Sequence, residues 1–245
     1  MPLIALRASD GVEVEAFSVD PAEWDVMRMQ PLGAFVMIGT NWPAVLKRSI
    51  RGTQFFAHAS GYQGIRPEPE SEHHLLAKIV IARALRADGY TALVESAGIS
   101  PDGDSWRADV LCETNGRRIA FEVQLAQQTL EEYEDRTAAY VRSDVECVWL
   151  IRAPRHYGAI AKAIYYRLRK QCVRPSSRPS LCLPHLAALP LELGSAKSAE
   201  IEDMKVTVFP AAGPSRISLA EFAVGVAAGR LTYSKCEWRW HTTSP

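Results

Sequence analysis

Along this 245-residue chain the spacing of hydrophobic positions changes several times, and each change predicts an element. Residues 1–57 read as short strands and turns. "GVEVEAF" alternates polar and apolar positions, and "GAFVMIG" is a compact apolar run between glycines. "IRPEPESE" (65–72) carries two prolines and reads as a linker. The period then switches to helical. Leu75, Leu76, Ile79, Ala82 and Leu85 form one apolar face over 71–88, with Ser71 as cap and Gly89 as stop. Glu72 precedes Leu75 and Leu76 by three and four residues, so it shares their inward face at the helix start.

Three strands are predicted next, over 90–97, 106–113 and 117–125. Asn115-Gly116 joins the last two and predicts a two-residue hairpin turn, because a type I′ turn needs positive φ at both central positions. Thr129 and Glu132 form a capping box opening a helix that runs to about Arg142. "VECVWLIR" (145–152) reads as a buried parallel strand, reached by a right-handed crossover. Beyond it lie a basic helix, "YGAIAKAIYYRLRK", a loop, "PSSRPSLCLP", and an apolar helix, "SLAEFAVGVAAGRL", capped by Ser218. The predicted organisation is a β module over 1–64, an α/β core over 65–155 and a basic, helical extension over 156–245, with no internal repeat.

Composition narrows the class without naming a function. Hydrophobic residues make up 47% and charged residues 23%, enough for a packed globular core. No apolar run is long enough to span a membrane, and no basic-then-apolar leader opens the chain, so a cytoplasmic setting is expected. Five scattered cysteines with no Cys-x-x-Cys pair argue against both a disulfide framework and a zinc ribbon. The 28 basic and 28 acidic residues cancel, but unevenly. Residues 1–30 hold six acids and two bases, whereas residues 147–191 hold eight bases and no acid. With Tyr157, Tyr165 and Tyr166 interleaved, that basic stretch is either a solvated face or a track for a phosphate backbone.

The hairpin also carries candidate chemistry. Counting back from the turn, Asp109 faces Glu122, and Gln124 shares their side of the sheet. Facing carboxylates repel, unless a divalent cation lies between them or nearby arginines such as Arg107 and Arg118 offset them. Hard oxygen ligands suit Mg²⁺ or Mn²⁺, and Gln124 could orient a water. Glu72, at the start of the first helix, is placed to reach the same edge. Adjacent His73 and His74 point about 100° apart on a helix and suit one ion poorly. Arg136 and Tyr140 are i, i+4 neighbours that either face a phosphate or stitch helix to sheet.

The segments "GTQFFAHAS", "ESEHHLLAK", "RADV", "FEVQLAQQTLEEYEDRTAAY" and "CVWLI" together resemble the competence protein CoiA-like family of the PD-(D/E)XK nuclease superfamily. The resemblance implies a core of helix, three strands, helix and strand. It implies Asp109 and Glu122 as metal ligands, Gln124 in the position usually held by Lys, and Glu72 as the early acid, with Glu70 less favoured. Relatives often carry a cysteine-containing, zinc-ribbon-like module before "FFAH". Here that stretch, "FVMIGTNWPAVLKRS", has no cysteine, so zinc is not expected. A β unit held by Phe35, Met37, Trp42 and Val45 is expected instead. The function implied is a Mg²⁺- or Mn²⁺-dependent nuclease cutting DNA in processing, recombination, competence or defence. A homodimer or a recombination or defence protein would be its partner, and no membrane. The alternative is a catalytically weak nucleic-acid-binding adaptor on the same fold.

Overall fold

A computed structural model describes residues 2–64, 70–171, 178–194 and 204–242. Most of the expected linker, and part of the loop before Leu181, lie outside these residues. The chain divides into two compact units, Met1–Ile79 and Val80–Pro245.

In the first unit, strands β1 (Ile4–Arg7), β2 (Glu13–Glu15) and β3 (Phe35–Val36) form a sheet in the order β2-β1-β3. A helix not expected from the sequence, α1 (Pro21–Arg28), lies between β2 and β3. Asp20 caps it by accepting from the Ala22 N–H at 2.8 Å, and Pro21 supplies the first helical residue. Strands β4 (Ala44–Arg48) and β5 (Gln54–His58) form a hairpin. Trp24 and Phe56, both fully buried, meet edge to face at 5.0 Å and centre the core. Phe35 and Met37 are buried with them, while Trp42 and Val45 are only half-buried. The module therefore closes on α1 rather than on Trp42.

Helix α2 (Glu72–Ala87) crosses the boundary between the units. Ser71 caps it, accepting from the His74 N–H at 3.3 Å. Its C-terminus closes where Gly89 takes φ +87° and the Tyr90 N–H reaches the Leu85 carbonyl at 3.0 Å.

The second unit is built on a seven-stranded sheet. Its strands are β6 (Thr91–Ile99), β7 (Ser105–Thr114), β8 (Arg117–Gln124), β9 (Glu146–Arg152), β10 (Ala187–Glu192), β11 (Lys205–Val208) and β12 (Ser215–Ser218), ordered β12-β11-β10-β9-β8-β7-β6. β8, β9 and β10 run parallel and the other neighbours antiparallel. Helices α3 (Leu130–Arg142) and α4 (Arg155–Lys170) share a core with one face of this sheet, where Ile160, Ile164 and Leu168 meet Trp149, Ile151 and Ala188. Val110, Cys112, Ile119 and Phe121 are fully buried on the opposite face. The central strands are thus covered on both sides, which explains their near-continuous apolar sequences.

The stretch expected to be a helical extension contributes strands as well as helices. β10, β11 and β12 extend the sheet, α5 (Leu219–Ala227) follows, and β13 (Leu231–Ser234) pairs with β14 (Glu237–Trp240). α5 begins at Ser218 as expected, with the Ser218 hydroxyl accepting from the Glu221 N–H. No helix among the described residues is long and apolar enough to cross a membrane.

The β7–β8 hairpin has the expected register, with Thr114 opposite Arg117 and Val110 opposite Phe121. Asn115 and Gly116 take φ +44° and +78°. A Cβ on Gly116 would meet nothing within 4 Å, so only backbone strain opposes a side chain there. Gly116→Ala is therefore expected to cost about 1 kcal/mol of stability, read as a lower midpoint in urea unfolding with an unchanged slope.

Candidate active site

Asp109 sits where the regular pairing of β7 is interrupted. The β6–β7 ladder steps from Val94–Val110 to Ser96–Ala108, passing Asp109, and the β7–β8 ladder ends at Val110–Phe121. Glu95, across from Asp109 on β6, takes φ +53°, an uncommon conformation for a residue with a side chain. Arg107 holds it there. Its Nη2 donates to Glu95 Oε2 at 2.7 Å, and its Nε donates to the Glu95 carbonyl at 3.2 Å. Asp109 in turn crosses to β8, where its Oδ2 accepts from the Val123 N–H at 2.8 Å. A side-chain acceptor thus replaces a ladder bond at the point where the strands part.

Glu122 lies on the adjacent strand and is 2% exposed. A carboxylate this deep needs charged or hydrogen-bonding partners, and α3 supplies them. Arg136 Nη2 donates to Glu122 Oε2 at 2.5 Å, and the Tyr140 hydroxyl donates to Oε1. The Arg136 guanidinium lies 4.5 Å over the Trp149 ring. The Trp149 indole donates to Thr137 Oγ1 at 2.9 Å, and the Thr137 hydroxyl donates to the Tyr133 carbonyl at 2.7 Å. Arg136 and Tyr140 therefore do stitch helix to sheet, with Glu122 as the point of attachment.

Electrostatics follow from that burial. Desolvation pulls the pKa of Arg136 down, but the negative charges around it, Glu122 first and Asp109 among them, leave it above its ordinary value. The Tyr140 hydroxyl is pushed well up, first by burial and then by the Glu122 charge, and stays a proton donor. The Cys147 thiol is raised by the same two causes, in the same order.

Gln124 completes this side of β8. Its Nε2 donates to the Ala126 carbonyl at 3.0 Å, and its Oε1 has no partner among the described residues. The carboxamide therefore presents an acceptor where a lysine would present a donor.

The other acids and histidines singled out in the sequence belong to the first unit. The Glu72 carboxylate accepts from the Ser49 hydroxyl and, at 3.1 Å, from Thr53 Oγ1, with the Arg51 guanidinium at 3.7 Å. It anchors the start of α2 to the β4–β5 hairpin. Glu70 Oε2 accepts from Lys78 Nζ at 2.8 Å, and His74 Nδ1 lies 3.8 Å from Glu70 Oε1. Lys78 is fully buried, which its charge alone did not foretell. His58 stacks on Tyr62 at 4.2 Å and meets Thr40 Oγ1 at 3.3 Å. Sequence reasoning passed over the Glu95–Arg107 pair, whose only sequence trace is two opposite charges on neighbouring strands.

Residues 70–188 match the family described as competence protein CoiA, nuclease-like domain. Residues 70–188 are thus a CoiA-like, nuclease-like domain. Asp109, Glu122 and Gln124, and the α3 residues that hold Glu122, all lie within the matched nuclease-like domain. No curated protein matches the chain. Among solved structures, one described as crystal structure of protein of unknown function AF1548 is similar at 20% identity, with a TM-score of 0.25. The likeness covers 33% of this chain and 46% of that one.

The raised Tyr140 predicts an alkaline effect. Its folded-state pKa lies above the ordinary tyrosine value of 10.0, so its contribution to stability is complete below that pH and is lost as pH climbs above it. Urea unfolding between pH 8 and 11 should show wild-type stability falling above about pH 10, more steeply than in Tyr140→Phe.

Proposed function

We propose that this CoiA-like, nuclease-like domain is a metal-dependent phosphodiesterase acting on DNA. The observation that carries the reading is the juxtaposition on β7 and β8. Asp109 leaves the strand ladder one position beyond the Val110–Phe121 pair, level in the register with Glu122, and Gln124 lies two residues further on. Hard carboxylate oxygens of this kind suit Mg²⁺ or Mn²⁺, with Asp109 and Glu122 as the residues that would hold the ion. Such an ion, when bound, polarises a phosphoryl oxygen and acidifies a water.

The remaining roles belong to the chain itself. Gln124 accepts an O–H of the attacking water through its Oε1 and so fixes the line of attack. Arg136 and Tyr140 aim Glu122 through their bonds to its two oxygens. In the reaction, the water oxygen forms a bond to phosphorus, the ester P–O bond breaks, and a proton ends on the leaving alkoxide. Positioning and charge stabilisation supply the acceleration. Glu72 stays outside this set, because its carboxylate anchors α2 to Ser49 and Thr53.

One observation favours a second reading, a nucleic-acid-binding adaptor without efficient chemistry. Both Glu122 oxygens already take α3 donors, and position 124 lacks a lysine. One assay separates the two. Labelled single-stranded, duplex and branched DNA is incubated with the full chain and Mg²⁺, Mn²⁺ or EDTA. The nuclease reading expects metal-dependent cutting by wild type, lost at least a hundredfold in Asp109→Asn and Glu122→Gln. Asp109→Asn keeps an acceptor for the Val123 N–H and should fold, whereas Glu122→Gln offers one acceptor to two α3 donors, so its loss of cutting is read beside its urea-unfolding midpoint. Binding without cutting, unaffected by metal or by either variant, would select the adaptor.

A further inference from the structure

The basic helix α4 has an exposed face with a single sign of charge. Arg155, Lys162, Arg169 and Lys170 are exposed on it, and Tyr166, 53% exposed, stands among them. Arg155, Lys162, Tyr166 and Arg169 follow helical spacing, so they form one stripe, about 21 Å long from Arg155 to Arg169. Lys162 lies 5.9 Å over the Tyr166 ring. None of these cations pairs with a carboxylate among the described residues. Arg167 differs, because Glu131 and Glu134 of α3 hold it at 2.7 and 2.5 Å.

A face kept only for solubility mixes both signs. Here the segregation extends to the neighbouring helix, since the exposed positions Glu131, Glu132 and Asp135 of α3 are acidic. The Arg155 end of the stripe also lies by the strand ends that carry Gln124. Gln124 pairs in parallel register with Ile151, and Arg152 and Arg155 follow directly. The field there is strong enough that, after burial, Arg152 and Arg155 are the causes lowering the pKa of His156.

We infer that the exposed face of α4, from Arg155 to Lys170, is the surface on which the phosphate backbone of a nucleic-acid strand lies as it approaches the Asp109–Glu122 edge. Tyr166 offers an aromatic face for an unpaired base, which favours a single strand. An anionic membrane fits less well, because the apolar side of α4 is already buried at Ile160, Ile164 and Leu168 and has nothing left to insert.

The inference takes its partner class from the proposed function, but its test does not need cleavage. In EDTA, binding of the full chain to a labelled single-stranded oligonucleotide is followed by fluorescence anisotropy from 50 to 200 mM salt. The combined variant Arg155→Gln, Lys162→Gln, Arg169→Gln should bind at least tenfold more weakly at the low end. Its plot of log affinity against log salt should be flatter by about 2, at about 0.7 for each lost phosphate contact. Arg216→Gln, on the outer strand β12 and already paired with Glu192 at 3.0 Å, should change neither. Unchanged affinity and slope in the combined variant would overturn the inference. So would equal loss in Arg216→Gln, or binding to anionic vesicles through the same three residues in place of DNA. Absence of metal-dependent cutting would count against the nuclease reading and leave this result standing.

Discussion

The arrangement of the second unit depends on one buried charge. Glu122 sits on a central strand, 2% exposed, where an uncompensated carboxylate would cost several kcal/mol. Arg136 and Tyr140 compensate it, and they can do so only if α3 crosses the sheet in one orientation and one register. The requirement passes outward. Arg136 is itself seated on Trp149, which pairs with Glu122 across β8 and β9, and Trp149 is tied back to α3 through Thr137. Three neighbouring elements are thus locked by a polar network within an apolar core. Such a network specifies a unique packing better than interchangeable aliphatic side chains do.

The same anchoring defines where a second carboxylate can be useful. With Glu122 fixed from behind by α3, the hairpin register alone decides which β7 residue comes alongside it, and the Asn115-Gly116 turn sets that register. Asp109 arrives at the position where β7 leaves both of its ladders. The strained Glu95 opposite, held by Arg107, keeps the strands apart there. Local strain at a place where regular pairing would otherwise close the gap is a frequent mark of functional sites.

What could be read from residues alone follows the range of the interactions involved. The β7–β8 hairpin was legible because Asn-Gly encodes its turn in two adjacent residues. The caps at Ser71, Thr129 and Ser218 were legible for the same reason. Helix α1 was overlooked although Asp20-Pro21 is a cap followed by a suitable first residue; eight residues between short strands leave little periodicity to notice. β10 was overlooked because Pro190 interrupts its apolar run and a proline argues against a central strand. In the sheet, Pro190 lies one residue beyond the β10–β11 pairs at Leu191–Val206 and Glu192–Lys205, so no bond in that ladder is lost. The positive φ of Glu95 has no local signal, because Arg107 imposes it from another strand. The sequence placed Arg136 and Tyr140 on one helix face, but only the docking of α3 on the sheet showed what they hold.

The residue at position 124 then carries a consequence for charge. Asp109, Glu122 and Arg136 together carry a formal charge of −1 when both carboxylates are ionised. A lysine at 124 would cancel it and supply a donor; glutamine keeps the field negative and supplies an acceptor. A negative pocket attracts a divalent cation more strongly than a neutral one but repels a phosphodiester that arrives without one. A segregated basic face on α4, its Arg155 end by the strand ends that carry Gln124, is the compensation such a site calls for. On the reading proposed above, it would draw an anionic strand close by charge that is held apart from the carboxylates, so neither field cancels the other.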